Sequence, residues 1–143
     1  MAEARAAAAR GEVPVGAVIV GPDGLVLAQA GNLTRAERDP TAHAEIVAIR
    51  AACRARGDER LVDCDLYVTL EPCPMCAAAI SFARIRRLYY GASDPKGGGV
   101  EHGARVLWQP TCHHRPQVYS GLAEHEAARL LVEFFEARRD RPL

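Results

Sequence analysis

Two short motifs carry residue types that hold a metal and move protons: His43-Ala44-Glu45 and, thirty residues after His43, Pro72-Cys73-Pro74-Met75-Cys76. Cys73 and Cys76 are three apart, so at the start of a helix both sulfurs can face one point, and His43 can bring a ring nitrogen there. An imidazole and two thiolates suit zinc. Structural zinc sites close with four protein ligands, whereas catalytic ones keep one place for water. No obvious fourth ligand accompanies these three, and the set therefore predicts one catalytic Zn2+ held by His43, Cys73 and Cys76. Water activated there needs a base, and an unligated carboxylate beside the metal can carry protons both ways, which makes Glu45 the proton shuttle. Residues two apart in mid-helix point roughly 200° from each other. His43 and Glu45 can flank one site only near a helix end, where Thr41 as N-cap would place them. The competing reading of the same residues is a purely structural zinc completed by Cys112, His113 or His114.

The elements that must position these motifs follow from pattern. Ala2 to Arg10 reads as a short helix, Val15 to Val20 as a buried strand, and Gly21-Pro22-Asp23-Gly24 as the turn into a second strand, Leu25 to Ala30. The Thr41-capped helix carries apolar residues at Ile46, Val47, Ile49 and Cys53 before Gly57 stops it. Asp65 to Leu70 reads as a buried strand, Pro74 to Ala83 as a helix of small residues, and Arg87 to Ala92 as another strand. Ser93 to Gly99 is a glycine-rich loop, and the stretch on to Pro116 has no clear pattern. Val118 to Ser120 is expected as a short strand, and Ala123 to Arg139 as an amphipathic helix with Leu130, Leu131, Phe134 and Phe135 on its apolar side. Alternating strands and helices predict a layered α/β fold.

With 143 residues the chain is the size of one domain, and its 49% hydrophobic and 25% charged residues exclude disordered and fibrous classes. Eighteen basic residues balance eighteen acidic ones, so any nucleic-acid site must be a local patch rather than a property of the whole molecule. No apolar run approaches the ~18 residues of a membrane span, and the first ten residues lack a signal-peptide core. Five cysteines are an odd number, which argues for free thiols in a reducing compartment, with the cytoplasm as the expected location.

H-x-E followed by P-C-x-x-C is the signature of the zinc nucleobase deaminases. Beyond that signature the chain resembles the bacterial tRNA-specific adenosine deaminases of the cytidine/deoxycytidylate deaminase superfamily. The resemblance runs through Glu12 to Val18, Asp39 to Glu45, Leu66 to Cys76, Arg84-Ile85, Tyr90-Gly91-Ala92, Phe134-Phe135 and Arg138-Arg139. Few residues precede Glu12 compared with this family's usual first helix, and the segment from Pro95 to Pro116 departs from many relatives.

The resemblance implies a three-layer α/β/α fold, with helices on both faces of a central mixed sheet of about five strands, in a single deaminase domain over 1–143. It implies hydrolysis of adenosine to inosine at the wobble position of a tRNA anticodon, with release of ammonia, an arginine tRNA as the expected substrate, and a homodimer. Asn32 corresponds to a base-contacting asparagine, Asp94 to an acidic residue beside the ribose, and Lys96 with the glycine-rich loop to phosphate contacts. Arg138, Arg139 and Arg141 are candidates for gripping the anticodon stem. Arg84, Arg86 and Arg87 are open to RNA binding, helix capping or dimer contacts. The alternative functions are a small-molecule deaminase of the guanine or cytosine type, which shares the zinc signature, and a noncatalytic RNA-binding partner with structural zinc, against which the intact Glu45 argues.

Overall fold

The computed structural model describes residues 1–140; Arg141 of the expected basic run lies outside them. The order of elements is α1 (Ala2–Ala9), β1 (Gly16–Val20), β2 (Val26–Gly31), α2 (Ala44–Arg56), β3 (Asp65–Leu70), α3 (Pro74–Phe82), β4 (Arg87–Ala92), a 3-10 turn (Val106–Trp108), β5 (Gln117–Tyr119) and α4 (Glu124–Arg139).

The strands form one mixed sheet in the order β2-β1-β3-β4-β5. β1 is antiparallel to both neighbours, while β3, β4 and β5 are mutually parallel. Because β1 reverses direction against both β2 and β3, the strands β2, β3 and β4 all run the same way. The residues that follow them, namely Asn32, Glu71 to Cys73, and Asp94, therefore emerge along one edge of the sheet, where open α/β sheets place their ligand crevices.

Side-chain alternation divides the core between two faces. Ala17, Ile19, Leu66, Val68, Leu88 and Tyr90 point to one face and pack with Ala48 and Ala52 of α2 and Ala77 and Ile80 of α3. On the other face lie α1 against β1 and β2, and α4 against β4 and β3. The short α1 seats closely there: Ala4 and Ala7 are fully buried, and a Cβ at Gly16 would stand 2.7 Å from the Ala4 backbone nitrogen. The expected three layers are present.

Most boundaries agree with the pattern within a residue. The start of α2 does not. Thr41 caps nothing, because its hydroxyl and backbone N–H both donate to Asp39 Oδ1 at 2.7 and 2.8 Å, and the helix begins three residues later at Ala44.

Candidate metal centre and active site

His43 and Cys73 occupy equivalent positions, each the extended residue preceding a helix, with ψ of 152° and 172°. Pro74 opens α3 with the fixed φ that a first helical turn requires. This local structure places Cys76 and Glu45 in the first turns of α3 and α2. The N-termini of the two helices converge, and their partial positive charge favours thiolates and any negative charge developing between them.

His43 Nδ1 is 3.5 Å from Cys73 Sγ and 3.5 Å from Cys76 Sγ, and the three donor atoms lie within 4.8 Å of one another. A tetrahedral zinc with bonds of about 2.1 Å to nitrogen and 2.3 Å to sulfur sets its N and S donors about 3.6 Å apart. The donor types and the spacing both fit one zinc ion.

The thiols titrate as a pair. A hydrogen bond from Cys76, helped by His43, brings Cys73 down to about 4, whereas the same bond together with burial drives Cys76 upward. In that state the pair carries one thiolate, and a bound cation displaces the remaining proton. The thiolate of Cys73 also raises His43 through their hydrogen bond. Glu45 is 4% exposed, and burial pushes its carboxyl above the ordinary range. It lines the same cavity as His43 and Cys73 and is not itself part of the metal-donor cluster.

That cavity, about 290 Å³, is bounded by Val13, Val15, Asn32, Leu70, Glu71, Asp94 and Gly97 as well as His43, Cys73 and Glu45. Asn32 is buried, and its Oδ1 accepts the Ala44 N–H at 3.2 Å. The helix cap expected from Thr41 thus comes from the cavity wall. Its amide NH2 has no hydrogen-bond partner among the described residues. Asp94 folds its own loop, its Oδ1 accepting the N–H groups of Gly97 at 2.9 Å and Lys96 at 3.3 Å. Lys96 itself is exposed and does not line the cavity.

Glu71, which sequence reasoning did not single out, holds this wall together. Its carboxylate is fully buried and accepts N–H groups from Asp94, Val100, Glu101 and His102 at 3.0 to 3.2 Å, with His102 Nδ1 at 2.7 Å. Burial alone would raise it, but the N–H donors of Asp94 and His102 outweigh that and hold it below the ordinary value. Gly99 completes the closure: its N–H donates to Pro72 O at 2.8 Å, and a Cβ there would meet Pro74 N at 2.5 Å. The only sequence signal was a glutamate directly before Pro72 opposite a run of three glycines.

Other expected residues lie outside the cavity. Arg138 donates to Gly11 O and covers the Phe134 ring with its guanidinium carbon 4.4 Å from the centroid, tying α4 to the end of α1; Arg139 is exposed. Arg84 donates to Ser81 O at 3.1 Å as a cap on α3, Arg86 binds Asp65 through two bonds of 3.0 Å, and Arg87 approaches Asp65 at 3.8 Å. The structural-zinc reading fails. Cys112 Sγ bonds His114 O and lies 3.5 Å from Ser81 Oγ, His114 Nε2 bonds Ile85 O at 2.7 Å, and His113 faces Phe82. Among the described residues, only His43, Cys73 and Cys76 form a metal-donor cluster.

Residues 1–92 match the family described as the cytidine and deoxycytidylate deaminase zinc-binding region, and the chain belongs to that family. Its nearer kinship is with the tRNA-specific adenosine deaminases. The one from Agrobacterium fabrum is 66% identical over 97% of this chain and 91% of that protein. A solved structure from work on A-to-I editing by tRNA:A34 deaminases at the wobble position of transfer RNA is 68% identical, with a TM-score of 0.89 over 91% of this chain and 94% of that one. The guanine deaminase of Bacillus subtilis is 34% identical, with a TM-score of 0.65 over 99% of this chain and 89% of that one.

Proposed function

We propose that the protein deaminates adenosine hydrolytically to inosine at the wobble position of a tRNA anticodon, that of an arginine tRNA, with release of ammonia. The observation that carries this reading is a three-donor zinc cluster beside a buried carboxylate that is not one of its ligands, in a chain 66% identical to a tRNA-specific adenosine deaminase.

His43, Cys73 and Cys76 hold the zinc, and Glu45 is the catalytic residue. Bound zinc supplies the Lewis acidity that makes water a nucleophile near neutral pH. The Glu45 carboxylate takes one proton from water as the water oxygen bonds to the ring carbon bearing the amine. It passes that proton to the adjacent ring nitrogen. It then carries the second water proton to the amino group, the C–N bond breaks, ammonia departs and the carbon is left as the inosine carbonyl. The burial that raises Glu45 suits a group that must hold a proton between these transfers. Asn32 offers its amide NH2 to the base, Asp94 faces the ribose, Lys96 on the loop rim reaches phosphate, and Arg138 and Arg139 face the stem. A base splayed out of the anticodon loop reaches such an enclosed site where a stacked one cannot.

The 143 residues act as one catalytic domain, in a homodimer. The open groove between α2 and α3, lined by Ile46, Ile49, Ala83 and the 64% exposed Phe82, supports the dimer. All five cysteines are free, which fits a reducing cytoplasm. Among the described residues no helix is long and apolar enough to cross a membrane.

The 34% identity to a guanine deaminase sustains one rival, a small-molecule deaminase. The deciding experiment incubates zinc-loaded protein with an anticodon stem-loop bearing a wobble adenosine and, in parallel, with guanine, cytidine and adenosine. Inosine in the RNA, lost in Glu45→Ala, is the expected result. Ammonia from a free base or nucleoside alone would assign the site to small-molecule deamination instead.

A further inference from the structure

We infer that Arg105, Trp108 and Arg115 form a second RNA-contacting surface outside the cavity, which stacks an unpaired base of the substrate and pairs with its phosphates. The inference rests on the tRNA reading above.

Trp108 is 40% exposed on the 3-10 turn. The guanidinium carbon of Arg105 lies 5.7 Å from its ring centroid and that of Arg115 lies 5.4 Å away, so two cations from separate parts of the loop lie beside one indole that keeps part of its surface exposed. Both arginines are exposed, and neither makes an ion pair among the described residues. Composition sharpens the point. The stretch 102–123 holds both arginines but no aspartate or glutamate, in a chain whose net charge is zero. A local cationic island carrying an exposed aromatic ring is what single-stranded RNA requires, because the π-face takes any base and the arginines take the backbone.

The patch is also fixed to the cavity. Val106 N–H donates to Gly99 O at 2.8 Å, and Gly99 N–H donates to Pro72 O at 2.8 Å, so the 3-10 turn hangs from the residue preceding Cys73. Leu107, 2% exposed, roots the turn, which packs on α3.

Trp108 is the only tryptophan of the chain, so its emission reports the patch directly. Zinc-loaded protein titrated with an anticodon stem-loop bearing wobble guanosine in place of adenosine should show saturable quenching that weakens with salt. Trp108→Ala should raise KM for the adenosine stem-loop about 5- to 100-fold with kcat nearly unchanged. The double variant Arg105→Gln, Arg115→Gln should raise KM similarly and flatten its salt dependence. Trp108 lies outside the core, and zinc content and Tm of all variants should match the parent. Saturating RNA that leaves the emission untouched, or variants with parental KM, would overturn the inference. Sedimentation showing that Trp108→Ala turns a dimer into an inactive monomer would also overturn it, assigning the patch to a subunit interface. Quenching by RNA without inosine formation in the parent would support the patch and refute the tRNA-editing reading, so the two can fail separately.

Discussion

Replacing Glu45 by Gln preserves the shape of the side chain and removes only its ability to exchange a proton. Since Glu45 lies in the first turn of α2 and outside the donor cluster, Glu45→Gln should retain a full complement of zinc. Turnover should fall about 10²- to 10⁴-fold, the usual contribution of a positioned acid or base. Thermal stability should not fall, because burial already disfavours the ionised carboxylate. Metal analysis beside an inosine assay checks this, and loss of zinc together with activity would make Glu45 a ligand instead. The clustering of His43, Cys73 and Cys76 beside Glu45 was legible in the sequence because a set of metal donors writes itself in residue type and short spacing. Glu71 was not, since its importance lies in backbone N–H groups more than twenty residues away, which no local pattern announces.

The same division holds for the elements. β3 and β4 were legible to the residue, as continuous apolar runs buried in a mixed sheet. The start of α2 was not, because Asp39 engages Thr41 and the capping oxygen comes from Asn32, twelve positions before the N–H it accepts. The segment 93–116 was unreadable for a related reason: the Glu71 carboxylate fixes much of it. Glu71→Gln should therefore loosen the wall formed by Asp94 and Gly97. With several N–H groups losing an anionic acceptor, the cost is about 2 kcal/mol, a fall in Tm of about 4–8 °C. KM for the stem-loop should rise more than kcat falls, because Asp94 and Gly97 line the cavity while no side chain of the loop is among the metal donors. Unchanged Tm and KM would mean that the loop is held by other contacts.

Glu12 works in the same way on the loop that leads into α2, accepting N–H groups from Arg35 and Ala36 at 3.0 and 2.8 Å and the Thr34 hydroxyl at 3.3 Å. Burial opposes its ionisation, but these donors outweigh it and set its folded value below the ordinary 4.5. The stabilisation is thus complete above the ordinary carboxylate range and is lost as pH falls through the lowered folded value. Glu12→Gln should be less stable than the parent at neutral pH, and the gap should narrow in acid below 4.5. Denaturant midpoints measured from pH 7 to pH 3 check the slope, and a constant gap would remove Glu12 from the acid response.

At the scale of the whole molecule, a net charge of zero means that RNA affinity has to be assembled from local cations, and the structure separates cations already engaged from cations free to act. α1 and α4 share one face of the sheet and are clasped at both ends, by Arg5 with Glu126 and by Arg138 with Gly11. Arg138 is therefore half-committed to holding the first helix to the last, while its neighbour Arg139 is exposed with no carboxylate partner among the described residues. These adjacent arginines should behave differently. Arg138→Ala should lower Tm, because it removes both the tie to Gly11 and the cover on Phe134. Arg139→Ala should leave Tm unchanged, weaken stem-loop binding, and reduce the slope of log K against log salt by about 0.7–0.9, the release expected for one phosphate contact. Binding isotherms for the parent and both variants across a salt series measure this. If Arg139→Ala keeps the parental slope, α4 does not grip the stem, and the phosphate contacts belong to the exposed arginines around Trp108.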